Sequence, residues 1–290
     1  MRKAKKTNNR YGVCRICGTQ GQLTYEHLPP KAAINDFQQE EYGYFEGNQL
    51  INSKKGRYTS KQKGTGDYYL CHNCNNNTGA YYGDAFKIWA RQIFTATYED
   101  KKEKGTLEFK KYKFYPLRVF KQIISMFLCI DEVTEKAGFK AKEKQIKLKE
   151  FVLEKESLDF PNDINIYFYA HSPYSTMVRQ IPYTVIADPL ETLEEFTGSE
   201  ISMYGSGYIL TKSKNINKLK IIEADNLIDI TFFKNYSYDE EIKLELKIPV
   251  LPNHTLNLCD FRIKEGIDKI VPDNHVVISN FENIKGIKPR

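Results

Sequence analysis

The chain has 290 residues, of which 41% are hydrophobic, 13% aromatic and 28% charged, with a formal net charge of +6. That is enough apolar chain for one large or two ordinary packed domains, and it excludes a chain too polar to fold. The longest apolar stretch, Ile123 to Ile130, falls far short of the roughly 20 residues that cross a bilayer. The basic N-terminus leads into no apolar segment of secretory type, so a cytoplasmic protein with no membrane partner is expected.

The positive charge is uneven. Residues 1–100 hold 14 Lys and Arg against 9 Asp and Glu, and the rest of the chain holds 29 against 28. Residues 1–10 contain no apolar residue beyond Met1 and Ala4 and read as a disordered basic arm carrying Arg2, Lys3, Lys5 and Lys6. A second basic run over 53–66 sets Lys54, Lys55, Arg57, Lys61 and Lys63 among glycines. Such segments suit salt-dependent phosphate contact that is indifferent to sequence; the alternative is a pair of solvated loops.

Between these basic runs lies the first of two matched motifs. Tyr11 to Thr19 reads as a metal knuckle built on Cys14-Arg-Ile-Cys17, with Gly18 supplying the turn. Gln22 to His27 reads as a strand that delivers His27 at its end, where Pro29 and Pro30 stop it by removing two backbone donors. The second motif, Cys71-His-Asn-Cys74, has the same two-residue gap, and two such pairs close a four-sulfur structural zinc site. The other cysteines, Cys129 and Cys259, sit in apolar segments and read as buried thiols; three disulfides are the competing assignment for the six.

After Cys74 the pattern turns helical, with Tyr82, Ala85, Phe86, Trp89 and Ile93 on one face. Asn75 to Thr78 are good residues for the start of that helix, and an anion or hydrated metal would also suit the position. Charged residues over 98–115 break the period, and a linker is expected over 101–115. Pro116 opens a second helix that buries Phe120, Ile123, Ile124, Phe127 and Leu128, and a weaker basic helix covers 140–155. From Ile164 on, β-branched and aromatic runs predict strands over 164–170, 182–187, 201–204, 208–211, 219–222, 227–233 and 241–248. His171, His254 and His275 are isolated and form no catalytic constellation.

Taken together, the two cysteine pairs, Glu26-His27-Leu-Pro29-Pro30 and Cys74-Asn75-Asn76 resemble the HNH (ββα-metal) endonuclease family over roughly residues 11–95. The resemblance implies His27 as general base and Glu26 and Asn75 as ligands of one catalytic Mg²⁺ or Mn²⁺. A middle Asn of the family pattern is not evident; Asn48 and Asn52 lie far upstream of the second cysteine pair, and Asp67 is the nearest polar residue. For Glu26 an ion pair with Lys31 is the structural alternative. His72 reads as a donor to a sulfur or a phosphate, and Asp84 is either outward or a support to the site.

The expected fold class is α+β. An N-terminal zinc-bound treble-clef or ββα-metal module over 11–100 precedes an α+β domain over 116–290, in which a helical segment leads into a mostly antiparallel β-rich region. The expected function is a metal-dependent endonuclease acting on nucleic acid, DNA ahead of RNA, of the kind found in bacterial anti-phage defence. The rival is an inactive zinc-stabilised module that binds nucleic acid or protein. Residues 116–290 are expected to direct or restrain the nuclease, through a partner protein or self-association.

Overall fold

The computed structural model describes residues 10–35, 39–41, 44–46, 49–51, 59–61, 66–100, 105–130, 142–171, 179–186, 196–203, 205–212 and 227–251. Arg2, Lys3, Lys5, Lys6, Lys54, Lys55, Arg57, Lys63, Cys259, His254, His275 and the strand expected at 219–222 lie outside them.

A small sheet comes first. Strands β1 (Arg10–Val13), β2 (Gln20–His27) and β7 (Gly66–Cys71) are antiparallel in the order β1-β2-β7, with the short strands β3 (Gln39–Glu41), β4 (Tyr44–Glu46), β5 (Gln49–Ile51) and β6 (Thr59–Lys61) between β2 and β7 in the chain. β3 pairs with β6, which carries Lys61, and β4 pairs with β5. Gly12 is needed inside β1, because a Cβ there would stand 2.9 Å from Leu23 Cδ1.

A helical run then spans residues 72–100: α1 (His72–Thr78), a π turn (Gly79–Gly83) and α2 (Asp84–Asp100). The helix starts at His72, three residues earlier than its period suggested. Cys71 is the extended N-cap, so Cys74 falls in the first turn, on the side of the knuckle. The π turn lies where the Tyr82 hydroxyl donates to the Val152 carbonyl and the Tyr81 carbonyl accepts from the Tyr238 hydroxyl. A wider turn frees carbonyls from the i→i+4 ladder for such outside donors.

The rest of the chain builds a mixed sheet on this helix. Strand β8 (Gly105–Phe114) is followed by helices α3 (Pro116–Ile130) and α4 (Lys142–Leu153), then by β9 (Ile164–His171), β10 (Arg179–Ile186), β11 (Phe196–Met203), β12 (Ser206–Lys212), β13 (Ile228–Asp229), a 3-10 turn (Thr231–Asn235) and β14 (Ile242–Leu251). The strand order is β10-β11-β12-β9-β14-β8, with β13 also on β9; all neighbours are antiparallel except β14 with β9. The class is therefore α+β with one large, mostly antiparallel sheet.

Two expectations are corrected here. Residues 105–114 are not a linker but an outer strand of the large sheet, with Leu107, Phe109 and Phe114 buried. Residues 227–233 are not one strand: the Asp229 side chain accepts from the Thr231 amide at 2.8 Å and turns the chain, and the Thr231 hydroxyl takes the Ile166 amide at 2.9 Å. The turn drives Phe233 into the core against Trp89 and Phe114.

The buried apolar residues form one continuous cluster from Cys14 to Val250. Trp89, fully buried on α2, is its hub. Its ring meets Phe109, Phe114, Phe168 and Phe233 with centroids 4.8–5.8 Å apart, and its Nε1 donates to the Tyr208 hydroxyl at 2.8 Å. The same helical run therefore carries Cys74 and Asn75 at one end and packs on the large sheet at the other.

Candidate functional site

The knuckle between β1 and β2 is a tight backbone structure. The Gly18 amide donates to the Cys14 carbonyl and the Cys14 amide to the Thr19 carbonyl, both at 2.9 Å, while Gly18 takes φ 74°. The Arg15 amide donates to the Tyr69 carbonyl at 3.0 Å and ties the knuckle to β7. Cys71 closes β7 and Cys74 sits three residues on, in the first turn of α1. The sulfurs of Cys14, Cys17, Cys71 and Cys74 lie within 4.8 Å of one another, with Cys17 Sγ 3.8 Å from Cys71 Sγ. Four thiolates at about 2.3 Å from a tetrahedral zinc are about 3.8 Å apart, so this donor set fits a structural zinc.

The thiols compete for protons. Cys14 is pushed down to about 4, chiefly because the Cys74 thiol hydrogen-bonds to it, and Cys74 is pushed up by the same contact and by burial. Cys71 is raised by burial. A dication relieves that competition by accepting all four as thiolates.

Beside the cysteines, β2 brings the expected site residues together. Glu26 pairs with Asp67 and His27 with Gly66 across the ladder. The backbones are so close there that a Cβ on Gly66 would stand 2.1 Å from the Glu26 carbonyl oxygen. Asn75 Nδ2 donates to Thr24 Oγ1 at 2.9 Å and to the Tyr25 carbonyl at 3.3 Å, fastening α1 onto β2. Strand alternation puts Thr24 and Glu26 on the face that Asn75 meets, while His27 shares the other face with Tyr25, ring centroids 5.0 Å apart. The Asn75 amide nitrogen is thus committed to the strand, and any ligand role falls to its Oδ1.

Glu26 is half-buried, and no hydrogen bond or ion pair from another described residue reaches its carboxylate; Lys31 does not pair with it. Burial pushes it from the ordinary value of 4.5 up to about 7. Folding therefore loses stability as pH rises through about 7, because only the unfolded chain solvates the carboxylate freely. Glu26→Gln is expected to stabilise the zinc-loaded chain by about 3 kcal/mol at pH 8 and by almost nothing at pH 4. Denaturant melts at the two pH values, with no other divalent ion present, check this; equal gains at both would refute the burial account.

The other candidates are placed as follows. Asp67 accepts from Arg10 Nη1 at 3.0 Å and from the Tyr68 amide at 2.8 Å, which engages the residue nearest to a middle position. His72 does not meet a sulfur; its ring lies 3.2 Å from Asn76 Nδ2 on the helix surface. Asp84 faces outward and pairs with Lys87 at 2.6 Å. His171 is buried, with Nε2 3.0 Å from the Met203 carbonyl oxygen.

Two residues were missed in the sequence. Gly66 lies in a Gly-rich run that reads as loop, and its role appears only with its pairing to His27. Asn35 is fully buried and donates through Nδ2 to the Pro29 carbonyl at 2.6 Å, securing the turn that follows His27. Leu28, Ala33 and Ile34 are buried in the same turn, and Arg91 of α2 donates to the Ala32 carbonyl. His27 is thus set at the end of a strand by a turn packed into the core.

Comparison with protein-family models, with curated proteins and with solved structures finds no match in any of the three.

Proposed function

We propose that this chain is a divalent-metal-dependent endonuclease of HNH type, acting on nucleic-acid phosphodiesters, DNA ahead of RNA, with β2, β7 and α1 as its zinc-framed treble-clef or ββα-metal module. The observation that carries the reading is Glu26: a half-buried carboxylate without a described partner, adjacent to His27 and on the strand face to which Asn75 is fastened. Glu26 and Asn75 Oδ1 are the residues that would hold a Mg²⁺ or Mn²⁺. Bound there, such an ion supplies charge stabilisation at the scissile phosphate.

The chain's own residues do the rest. Glu26 surrenders its proton to become a ligand. His27, held by the ladder on one side and by the turn after it on the other, accepts a proton from the attacking water. Asn75 keeps α1 in register with the strand, so the ligand and the base stay at a fixed separation. The four cysteines lock the knuckle and the start of α1 around this arrangement.

A general base is worth roughly 10² to 10⁴ in rate. His27→Ala is accordingly expected to lower plasmid nicking in Mg²⁺ or Mn²⁺ at least about 100-fold while the zinc content and the melt stay as in the parent. Equal nicking by both proteins, or none with any divalent ion, overturns the enzyme reading. One observation favours the rival, a zinc-stabilised binding module without chemistry: Asp67 is already engaged by Arg10. Binding without cleavage would select it.

A further inference from the structure

The strand face that carries Glu26 does not end beneath α1. Along β2 it continues outward through Thr24 to Gln22 and Gln20, and across the ladder Gln22 faces Tyr11 while Gln20 faces Val13. The alternate residues Leu23, Gly12 and Gly21 turn to the other side, where Leu23 is buried. At the open end of this face Tyr11 is 73% and Val13 56% exposed, and Gln20 and Gln22 are exposed as well. No ring, hydrogen-bond donor or acceptor of another described residue engages the Tyr11 side chain.

The chemistry of this strip is specific. It sets an aromatic ring and an aliphatic side chain beside two primary amides, on an edge strand whose outer side has no partner among the described strands. β1 and β2 contain no carboxylate before Glu26. Cations flank it: the Arg10 guanidinium is exposed above the Tyr68 ring at 5.2 Å, and that of Arg15 stands 6.0 Å from the Tyr69 ring. Five of the first ten residues are Lys or Arg, and they run directly into β1. A solvent-facing tyrosine and exposed amides, fed by a polycationic segment, complement a polyanion that offers unstacked bases.

We propose that single-stranded nucleic acid lies along this strip, a base stacked on Tyr11 and the backbone drawn to Arg10 and the basic arm, so that the strand runs along β2 toward Glu26 and His27. The proposal rests on the nucleic-acid reading above and adds to it a strandedness and a contact residue. From Gln22 to Glu26 is about 13 Å along an extended strand, so the stacked base and the candidate site belong to one bound segment. A duplex keeps its bases stacked on one another and has nothing to offer the ring.

The test is fluorescence anisotropy with labelled oligothymidine, oligouridine and a blunt DNA duplex of equal length. It uses the full zinc-loaded chain in a His27→Ala background, without added divalent ion. Tyr11→Ala is expected to weaken binding of the single strands about tenfold and of the duplex less than about twofold, and Tyr11→Phe to restore the parent's affinity. The two single strands separate DNA from RNA as the source. The proposal is overturned if Tyr11→Ala binds single strands as the parent does, or if it weakens duplex and single strand alike. It is equally overturned if Tyr11→Ala merely dissolves a dimer, or releases a protein partner, with oligonucleotide binding intact. Because binding is scored without cleavage, a chain that binds through Tyr11 but never cuts removes only the nuclease reading. A chain that cuts but ignores Tyr11 removes only this one.

Discussion

Cys74→Ser, or removal of zinc by a strong chelator, is expected to unfold the small sheet and the helix start together, and to lower the melting temperature of the whole chain. The three-stranded sheet has little core of its own: Ile16, Leu23 and Leu70 are its buried aliphatic residues, and β1 is four residues long. Without an ion, its centre is a set of thiols in which one thiolate is held only by its neighbours' protons. Structural zinc in Cys-rich sites is worth on the order of 10 kcal/mol of apparent folding free energy, as much as a typical domain's whole net stability. Metal analysis should find one zinc per chain, lost in Cys74→Ser, and circular dichroism should show the melt fall. The control is Cys129→Ala, a buried thiol on α3, which should keep the zinc and cost only about 1–2 kcal/mol of packing. An unchanged melt after chelation, or no zinc in the purified protein, would sink the metal centre.

Trp89→Ala is expected to be the most damaging apolar truncation, at about 4 kcal/mol, because it opens a cavity bounded by four phenylalanines from four separate segments. It also leaves the Tyr208 hydroxyl, fully buried, without the indole N–H that donates to it. Trp89→Phe keeps most of the ring contact and should cost about half as much. Since α2 is continuous with the helix that holds Cys74 and Asn75, the loss should lower zinc affinity as well as sheet stability. Denaturant unfolding by circular dichroism, with zinc release followed in parallel by a chromogenic chelator, reads both. Separate transitions for zinc release and sheet melting, with only the sheet shifted, would show that the helical run does not couple them.

The legible parts of this fold were those with an uninterrupted period. Tyr82, Ala85, Phe86, Trp89 and Ile93 all face inward as their spacing predicts, and so do the apolar residues of α3. The strand at 105–114 was hidden by its own irregularity. Leu107 and Phe109 alternate with Glu108, but the ladder slips between Leu244 and Leu246, so Tyr112 and Phe114 restart the alternation out of phase. A pattern broken in mid-strand and rich in lysine reads as a linker. In the site, the cysteine spacing was enough to foresee one cluster, because a two-residue gap acts locally. The burial of Glu26 was not legible, since it arises where a strand meets elements placed by the rest of the chain, as does the role of Asn35.

The position of β14 has a consequence for synthesis. Strand β8 joins the sheet only through β14 among the described strands, and β14 lies more than a hundred residues later in the chain. While the ribosome is still adding those residues, β8 has both edges bare, and the aromatic pocket around Trp89 lacks the wall that β8 completes. The cysteine cluster can close early, because its four ligands are all made by residue 74. The emerging chain thus passes through a long interval in which one end is metal-locked and the next segment is open. Truncations that stop short of Ile242 should be held by chaperones or degraded, and should not accumulate as a shorter version of the fold.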